Sequence, residues 1–515
     1  MNLRSSESTR RKLAILFPVG LGILLRSINL AEQSLWADEA YSVVLASQSF
    51  TSILNQQLMD SSPPLYYWLL RIWTLSWGTS EIAVRSLSAL FSSLALITAA
   101  SLVQTLTRSV SATIVTTSFI AFSGSQLYFA QETRMYAFAS FLIILACHGI
   151  VSEHASQGKG WYVIPAMIGL IYTHNYGWIF WACAMVWTFF FHRRMWLYHI
   201  IIAVAASAWV PGLLSQLGRD PSAWIPQPRW IFILQTIRTF AGTFQFHKPS
   251  AFGSVLITVN VICLVILFVN ALITNRINRL TGYLELLAFG PLITAFLLSF
   301  YKPMYVPGRY DTLFFIPLVV FTAAPLISGI TGKTHSILPP LPIKLLVMIL
   351  LIGQGCSAAW YHVFFVKAND REVAASIESM NLPAGSVVIT TDVTLPAFIY
   401  YLDNQRYHLL DYPLHQKGWL PKPFLEDNPH QVEPDIARLL ETIDSLDHAG
   451  FAVIAKAGLL RANDRLIKTL TDRWVPVRRV AVDSPRPYNS VNLLLLFRIP
   501  EAGDVPGRIT AHPHP

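Results

Sequence analysis

Along the first 360 residues the apolar positions run in blocks close to the roughly 20 residues that a bilayer core demands of a helix. The blocks fall at about 13–31, 81–106, 110–129, 133–151, 161–174, 176–191, 196–215, 252–273, 282–300, 312–331 and 341–360. Each predicts a helix, about eleven in all. The fifth and sixth are short and joined by a tight turn near His174. From about residue 370 the pattern changes to short elements of alternating type. Helices are expected at 371–380, 395–402, 435–446 and 460–470, and strands at 386–390, 407–410, 452–455, 475–482 and 492–499. Such alternation predicts a small α/β layer domain.

Three regions follow: a helical membrane domain over 1–360, an α/β domain over 370–500, and a tail over 501–515. The tail, rich in Pro, Gly and His, reads as disordered, and its His512 and His514 are a weak metal signal. No internal repeat or inverted duplication is visible. The α/β domain lacks the Gly-rich turn after its first strand that a dinucleotide site uses, so no nucleotide is expected. Composition agrees with a polytopic membrane protein: 53% of residues are hydrophobic and 13% charged, against about 25% charged in soluble domains. Disorder, collagen-like fibres and disulfide scaffolds are excluded. Cys147, Cys183, Cys263 and Cys356 lie in apolar stretches without metal-ligand spacing and read as small core residues. No small-x-small cleavage site follows the first block before Trp36, so that block reads as an uncleaved helix rather than a signal peptide.

Net charge is +9, and its distribution says more than its size. Residues 1–360 hold 22 Lys and Arg against 11 Asp and Glu, whereas the remainder hold 16 against 18. The basic excess belongs to the membrane part, and no basic tail or stripe suits nucleic acid. With the N-terminus inside, every inner loop carries a cation, including Arg108, Lys159, Arg193, Arg276 and Lys333, as the positive-inside rule requires. The outer face then receives the loop 32–80, the turns near Glu132 and His174, the long loop 216–250, residues 301–310 and the α/β domain. It also receives Arg134, Arg219, Arg229, Arg238, Lys248, Lys302 and Arg309. Cations on that side run against the orienting bias. Singly they suit lipid headgroups; together they suggest a phosphate site.

Acids are scarce in the membrane part, so each one near an interface calls for a reason. Asp38 and Glu39 follow the first block beside Trp36 and precede an amphipathic run. They fit a helix N-terminus favoured by its dipole, or a carboxylate base whose proton affinity burial raises. Glu132 and Arg134 open the fourth block. Two residues apart they point to different sides of a helix, which disfavours a simple mutual pair and leaves the guanidinium fork for planar oxygens. His174 suits an interfacial structural histidine as well as a functional one. Arg309 can pair with Asp311 or serve a ligand.

Taken together, Trp36-Ala37-Asp38-Glu39-Ala40, Ser62-Pro63-Pro64-Leu65-Tyr66-Tyr67, Ser80-Glu81 with Arg85, Gln131-Glu132-Thr133-Arg134-Met135-Tyr136, Tyr172-Thr173-His174 and Arg309-Tyr310 resemble the GT-C superfamily of membrane glycosyltransferases. The nearest branch is the bacterial one allied to protein O-mannosyltransferases and the lipid A aminoarabinose transferase. The resemblance covers about residues 10–330. It implies a polyprenyl-phosphate sugar donor, an outward-facing site in the cell membrane, a first-loop catalytic acid at Asp38 with Glu39 beside it, a second-loop acid at Glu132 and a phosphate ligand at Arg134. Arg309, His174 and Lys302 are expected to complete the phosphate site, and Tyr66 and Tyr136 to contact substrate. The resemblance fixes no cofactor; a divalent cation, Mg²⁺ or Mn²⁺, held by Asp38 or Glu132 stays open. The α/β domain matches neither a lectin nor a peptide-binding module, so the acceptor does not carry over. The competing expectations are a transporter or flippase of an anionic lipid, a glycan polymerase or ligase, and an assembly scaffold. Against the transporter stand the lack of paired broken helices and the placing of ionisable groups at the outer ends of the blocks.

Overall fold

The computed structural model describes residues 2–155, 159–218, 225–243, 250–275, 279–330, 339–391, 394–413, 429–447, 450–457, 461–482 and 491–500. The expected tail with His512 and His514, and the cations Arg219, Lys248, Arg276 and Lys333, lie outside the described residues.

In chain order the helices are α1 (Asn2–Ser27), α2 (Ala37–Ala46), α3 (Phe50–Gln57), α4 (Leu65–Trp77), α5 (Glu81–Thr107), α6 (Val110–Ala121), α7 (Gly124–Ala130), α8 (Tyr136–Ala155), α9 (Val163–Ile171), α10 (Tyr176–Phe191), α11 (Trp196–Ser207), α12 (Val210–Gly218), α13 (Ile231–Phe240), α14 (Ala251–Asn275), α15 (Arg279–Leu298), α16 (Phe315–Ile330) and α17 (Pro340–Phe364). All eleven apolar blocks are helical. Four helices are long and apolar enough to cross a bilayer alone, namely α5, α8, α14 and α17, and α11 with α12, bent by 60° at their break, make a fifth. The remaining blocks hold shorter apolar helices, so length alone supports four or five spans among the described residues rather than eleven.

One such break has a clear cause. The block 110–129 splits into α6 and α7 at Phe122 and Ser123. There the fully buried Arg26 guanidinium of α1 donates to the Ile120 and Ala121 carbonyls and to Ser92 Oγ at 2.9 Å. A buried cation satisfied by helix-end carbonyls fixes where α6 stops. Gly22 sits one turn before it, where a Cβ would meet Leu96 at 2.5 Å and Ala121 at 2.9 Å, so glycine allows the close approach.

The chain divides into two compact units: Met1–Glu32 with Leu45–Phe365, and Gln33–Val44 with Val366–Pro515. The first is the helical membrane unit. The second is α/β, with α18 (Asp370–Glu378), β1 (Ser386–Thr391), α19 (Leu395–Tyr401), β2 (Tyr407–Tyr412), α20 (Pro429–Asp444), β3 (Phe451–Ala457), α21 (Arg461–Arg473), β4 (Val475–Ala481) and β5 (Val491–Arg498). The strand order is β2-β1-β3-β5-β4. β1 runs parallel to β2 and β3, while β5 is antiparallel to both β3 and β4. Buried strands here are near-continuous apolar runs such as Val387, Val388 and Ile389, as sheets covered on both faces require. One face packs on α20 and α21, through Ile436, Leu439, Leu466 and Leu470. The other packs on α18 and α19, through Val373, Ile377 and Phe398. The unit also takes in the start of α2, described below.

Candidate functional site

Three chain reversals of the membrane unit carry the cationic and aromatic residues singled out above. The first joins α7 to α8. Gln131 anchors it by donating to the Ile28 carbonyl at 2.7 Å and accepting from the Tyr361 hydroxyl at 3.1 Å. The Arg134 N–H donates to the Glu132 carbonyl at 2.7 Å. Glu132 is fully buried and Arg134 nearly so.

The second reversal joins α9 to α10. Its tightness follows from two backbone bonds on one carbonyl: the Thr173 and His174 N–H groups both donate to Leu170 O, at 3.1 and 2.9 Å. Gly177 closes it by donating to His174 O at 2.8 Å, and a Cβ there would meet the Leu170 and Ile171 backbone at 2.8 Å. The rigid Ser62-Pro63-Pro64 start of α4 docks on this turn. The Leu65 N–H donates to Tyr172 O at 3.0 Å and Asn175 Nδ2 donates to Ser61 O at 2.9 Å.

The third precedes α16. Gly308 adopts φ +76°, a conformation that favours glycine, and its N–H donates to Asp311 Oδ2 at 3.0 Å. The same oxygen accepts from Thr236 Oγ1 of α13 at 2.6 Å, and Thr236 also meets the Tyr305 hydroxyl at 2.7 Å. Asp311 thus fixes the turn that presents Arg309.

The reversals converge. Arg309 Nε donates to the Tyr136 hydroxyl at 2.6 Å, with its guanidinium carbon 5.6 Å from the Tyr136 ring centroid and 5.8 Å from that of Tyr310. Such distances suit cation–π contact. The His174 ring lies 5.2 Å from Tyr310 and 6.2 Å from Tyr136. Burial, then the Arg134 and Arg309 charges, push the His174 pKa down to about 3. The Tyr176 N–H donates to His174 Nδ1 at 3.1 Å, so the neutral ring carries its proton on Nε2. The histidine expected at the phosphate site is therefore a neutral donor, while the net field at it is positive.

Tyr66 is buried behind this cluster, its hydroxyl 3.4 Å from Ser88 Oγ, which in turn reaches the Arg134 carbonyl at 3.4 Å. Its neighbour Tyr67 feels Arg134: burial pushes its pKa up to about 12, with Arg134 pulling the other way. Lys302 Nζ donates to Leu217 O at 2.7 Å.

In the second unit, Asp38 is half-buried in the first turn of α2. Glu39 is fully buried, with Oε2 3.3 Å from Lys367 Nζ. That ion pair suits a structural tie better than acid–base work. Among the described residues no three His, Cys, Asp or Glu side chains gather as a metal site.

An apolar cavity of about 450 Å³ opens in the membrane unit between α13, α14, α15, α16 and α17. Ile233, Ile237 and Phe240 of α13 line it, and so do Thr236, which donates to Asp311, and Tyr305, whose hydroxyl pairs with Thr236. The stretch 216–250, expected as a loop, instead contains α13. The spacing of Trp230, Ile233, Ile237 and Phe240 is the helical signal it carries.

No protein-family model and no curated protein sequence matches the chain. Solved structures do. ArnT from Cupriavidus metallidurans in the apo state superposes with a TM-score of 0.56 at 13% identity, covering 94% of this chain and 97% of that one. ArnT from the same organism bound to undecaprenyl phosphate gives 0.55 at 11%, covering 96% and 99%. An Archaeoglobus fulgidus oligosaccharyltransferase complexed with zinc and sulfate gives 0.48 at 11%, covering 86% and 68%. The chain thus shares the overall fold of ArnT.

Proposed function

We propose that the protein is a membrane glycosyltransferase that moves a monosaccharide from a polyprenyl-phosphate donor to an acceptor hydroxyl or amine outside the cytoplasm. The observation that carries this reading is continuity: an apolar cavity sharing Thr236 and Tyr305 with the Asp311 network that fixes Arg309. An isoprenoid chain suits the cavity, and its phosphate suits the cations at the polar end. The ArnT complex with undecaprenyl phosphate, sharing this fold, supports the same donor class.

In this reading Arg134 and Arg309 neutralise the leaving phosphate, and His174 Nε2–H adds a neutral hydrogen bond. Stabilising charge where it develops lowers the barrier more than any other effect open to such a site. The acceptor oxygen or nitrogen attacks the anomeric carbon, and the bond from that carbon to the phosphate oxygen breaks. The acceptor proton passes to the Asp38 carboxylate, a role assigned from the first-loop motif. One displacement inverts the anomeric centre. Tyr136 orients Arg309, and Glu132 tunes the second-loop turn. The cell membrane with the site and the α/β unit on its outer face is the proposed location, from the distribution of cations over the loops.

The test is sugar transfer or release by purified protein in liposomes supplied with a panel of radiolabelled polyprenyl-phosphate monosaccharides. Consumption of one donor by the parent protein and not by Asp38→Asn is expected. Donor carried across the bilayer with its sugar–phosphate bond intact would establish a transporter instead.

A further inference from the structure

We infer that Lys367 is a positioning residue for the first-loop acids, so that the α/β unit, through its buried ion pair with Glu39, sets the aim of Asp38. The inference rests on the proposed role of Asp38 and adds to it a residue, and a job for the α/β unit, that the sequence motifs do not supply.

Residues Gln33–Val44 belong to the α/β unit although 45–365, nearly the whole membrane unit, separate them from the rest of it. Three contacts among the described residues join it there. The Lys367 N–H donates to Gln33 Oε1 at 2.6 Å, and the Leu35 N–H donates to the Tyr401 hydroxyl of α19 at 2.7 Å. Lys367 Nζ then meets Glu39 Oε2 at 3.3 Å, with the two side chains only 1% and 0% exposed. One residue therefore grips the segment twice, by its main chain at Gln33 and by its side chain at Glu39.

The geometry of a helix turns this grip into aim. Glu39 and Asp38 are consecutive in the first turn of α2, and consecutive helical residues point about 100° apart around the axis. With Glu39 drawn inward by the Lys367 ammonium, Asp38 has a fixed azimuth and stays half-buried. Removing the Lys367 ammonium takes away a buried tie on Glu39, and α2 answers by rotating or fraying. Misplacing a reacting group by about 1 Å can cost on the order of 100-fold in rate.

The experiment measures kcat for transfer and, separately, the Kd for the polyprenyl-phosphate sugar identified by the panel, in the full-length protein in liposomes. Lys367→Met is expected to lower kcat by about tenfold or more and to leave the donor Kd unchanged. Lys367→Arg retains most of the turnover. Gln33→Ala, which strands no charge, gives a smaller drop in kcat, again without a change in Kd, and serves if Lys367→Met does not fold. Parent-level kcat in both Lys367→Met and Gln33→Ala overturns the inference. So does a parallel loss of kcat, donor affinity and protein yield in both variants. An active Asp38→Asn protein overturns the role of Asp38 instead, whatever Lys367 does, so the two failures are distinguishable.

Discussion

At the scale of single residues, the cluster around Tyr136 works because its aromatic rings and hydroxyls hold Arg309 in one orientation. Arg309 sets its Nε on the Tyr136 hydroxyl, and because the guanidinium is planar, that one bond fixes the plane of the whole fork. Lysine has no fork. Arg309→Lys is therefore expected to raise the KM for the lipid donor by roughly tenfold, read from initial rates of transfer. His174 gives a second prediction, of pH dependence. Its folded pKa, about 3, lies below the ordinary 6.5, so the unfolded chain binds a proton that the folded site refuses. Its contribution to stability is complete above pH 6.5 and declines as pH falls from there toward 3. The rate profile should show no histidine step between pH 5 and 8. His174→Gln should flatten the acid slope of thermal stability measured in detergent.

Elements act through their ends. The α9–α10 turn was legible from a polar break between two short apolar blocks, because the break itself is the signal. Gly177 makes that turn possible, and Gly177→Ala is expected to destabilise by about 1–3 kcal/mol, as its Cβ meets backbone that cannot swing aside. Denaturation in detergent measures it. α13 shows the opposite situation. Its apolar face is present in the sequence as the spacing of Trp230, Ile233, Ile237 and Phe240, but at ten residues the helix is about half the length of a bilayer-spanning run and does not stand out among the apolar blocks. Thr236→Val would remove the hydroxyl on Asp311 at a cost of about 1–3 kcal/mol. The same change should loosen the Gly308–Arg309 turn, seen as a weaker donor affinity with an unaltered fold. The short elements of the α/β unit were legible to within a few residues, α20 excepted, since strands bounded by Gly, Pro and Asn announce themselves locally. α20 begins earlier than expected, at Pro429, and carries Pro434 inside it, a residue that reads in sequence as a helix boundary.

For the whole molecule, what sequence could not reveal are the contacts between distant positions. The split of the block 110–129 depends on Arg26, and nothing within the block marks it. The sharing of Gln33–Val44 with the α/β unit depends on partners 334 positions away along the chain. Charge distribution, by contrast, was plain, and it yields a topological prediction. Gln405→Cys should react with a membrane-impermeant thiol reagent in intact spheroplasts and Lys159→Cys should not, each made in a background with the four native cysteines replaced. The reverse pattern would invert the proposed orientation. The borrowed first-loop segment also has a consequence in time. Synthesis runs from the N-terminus, and domains generally fold as units as they emerge. Asp38 is made early, whereas Lys367 and Tyr401, which hold its segment, are made only after α17 is complete. The first-loop segment therefore takes its final place only once the described helices of the membrane unit have all been synthesised.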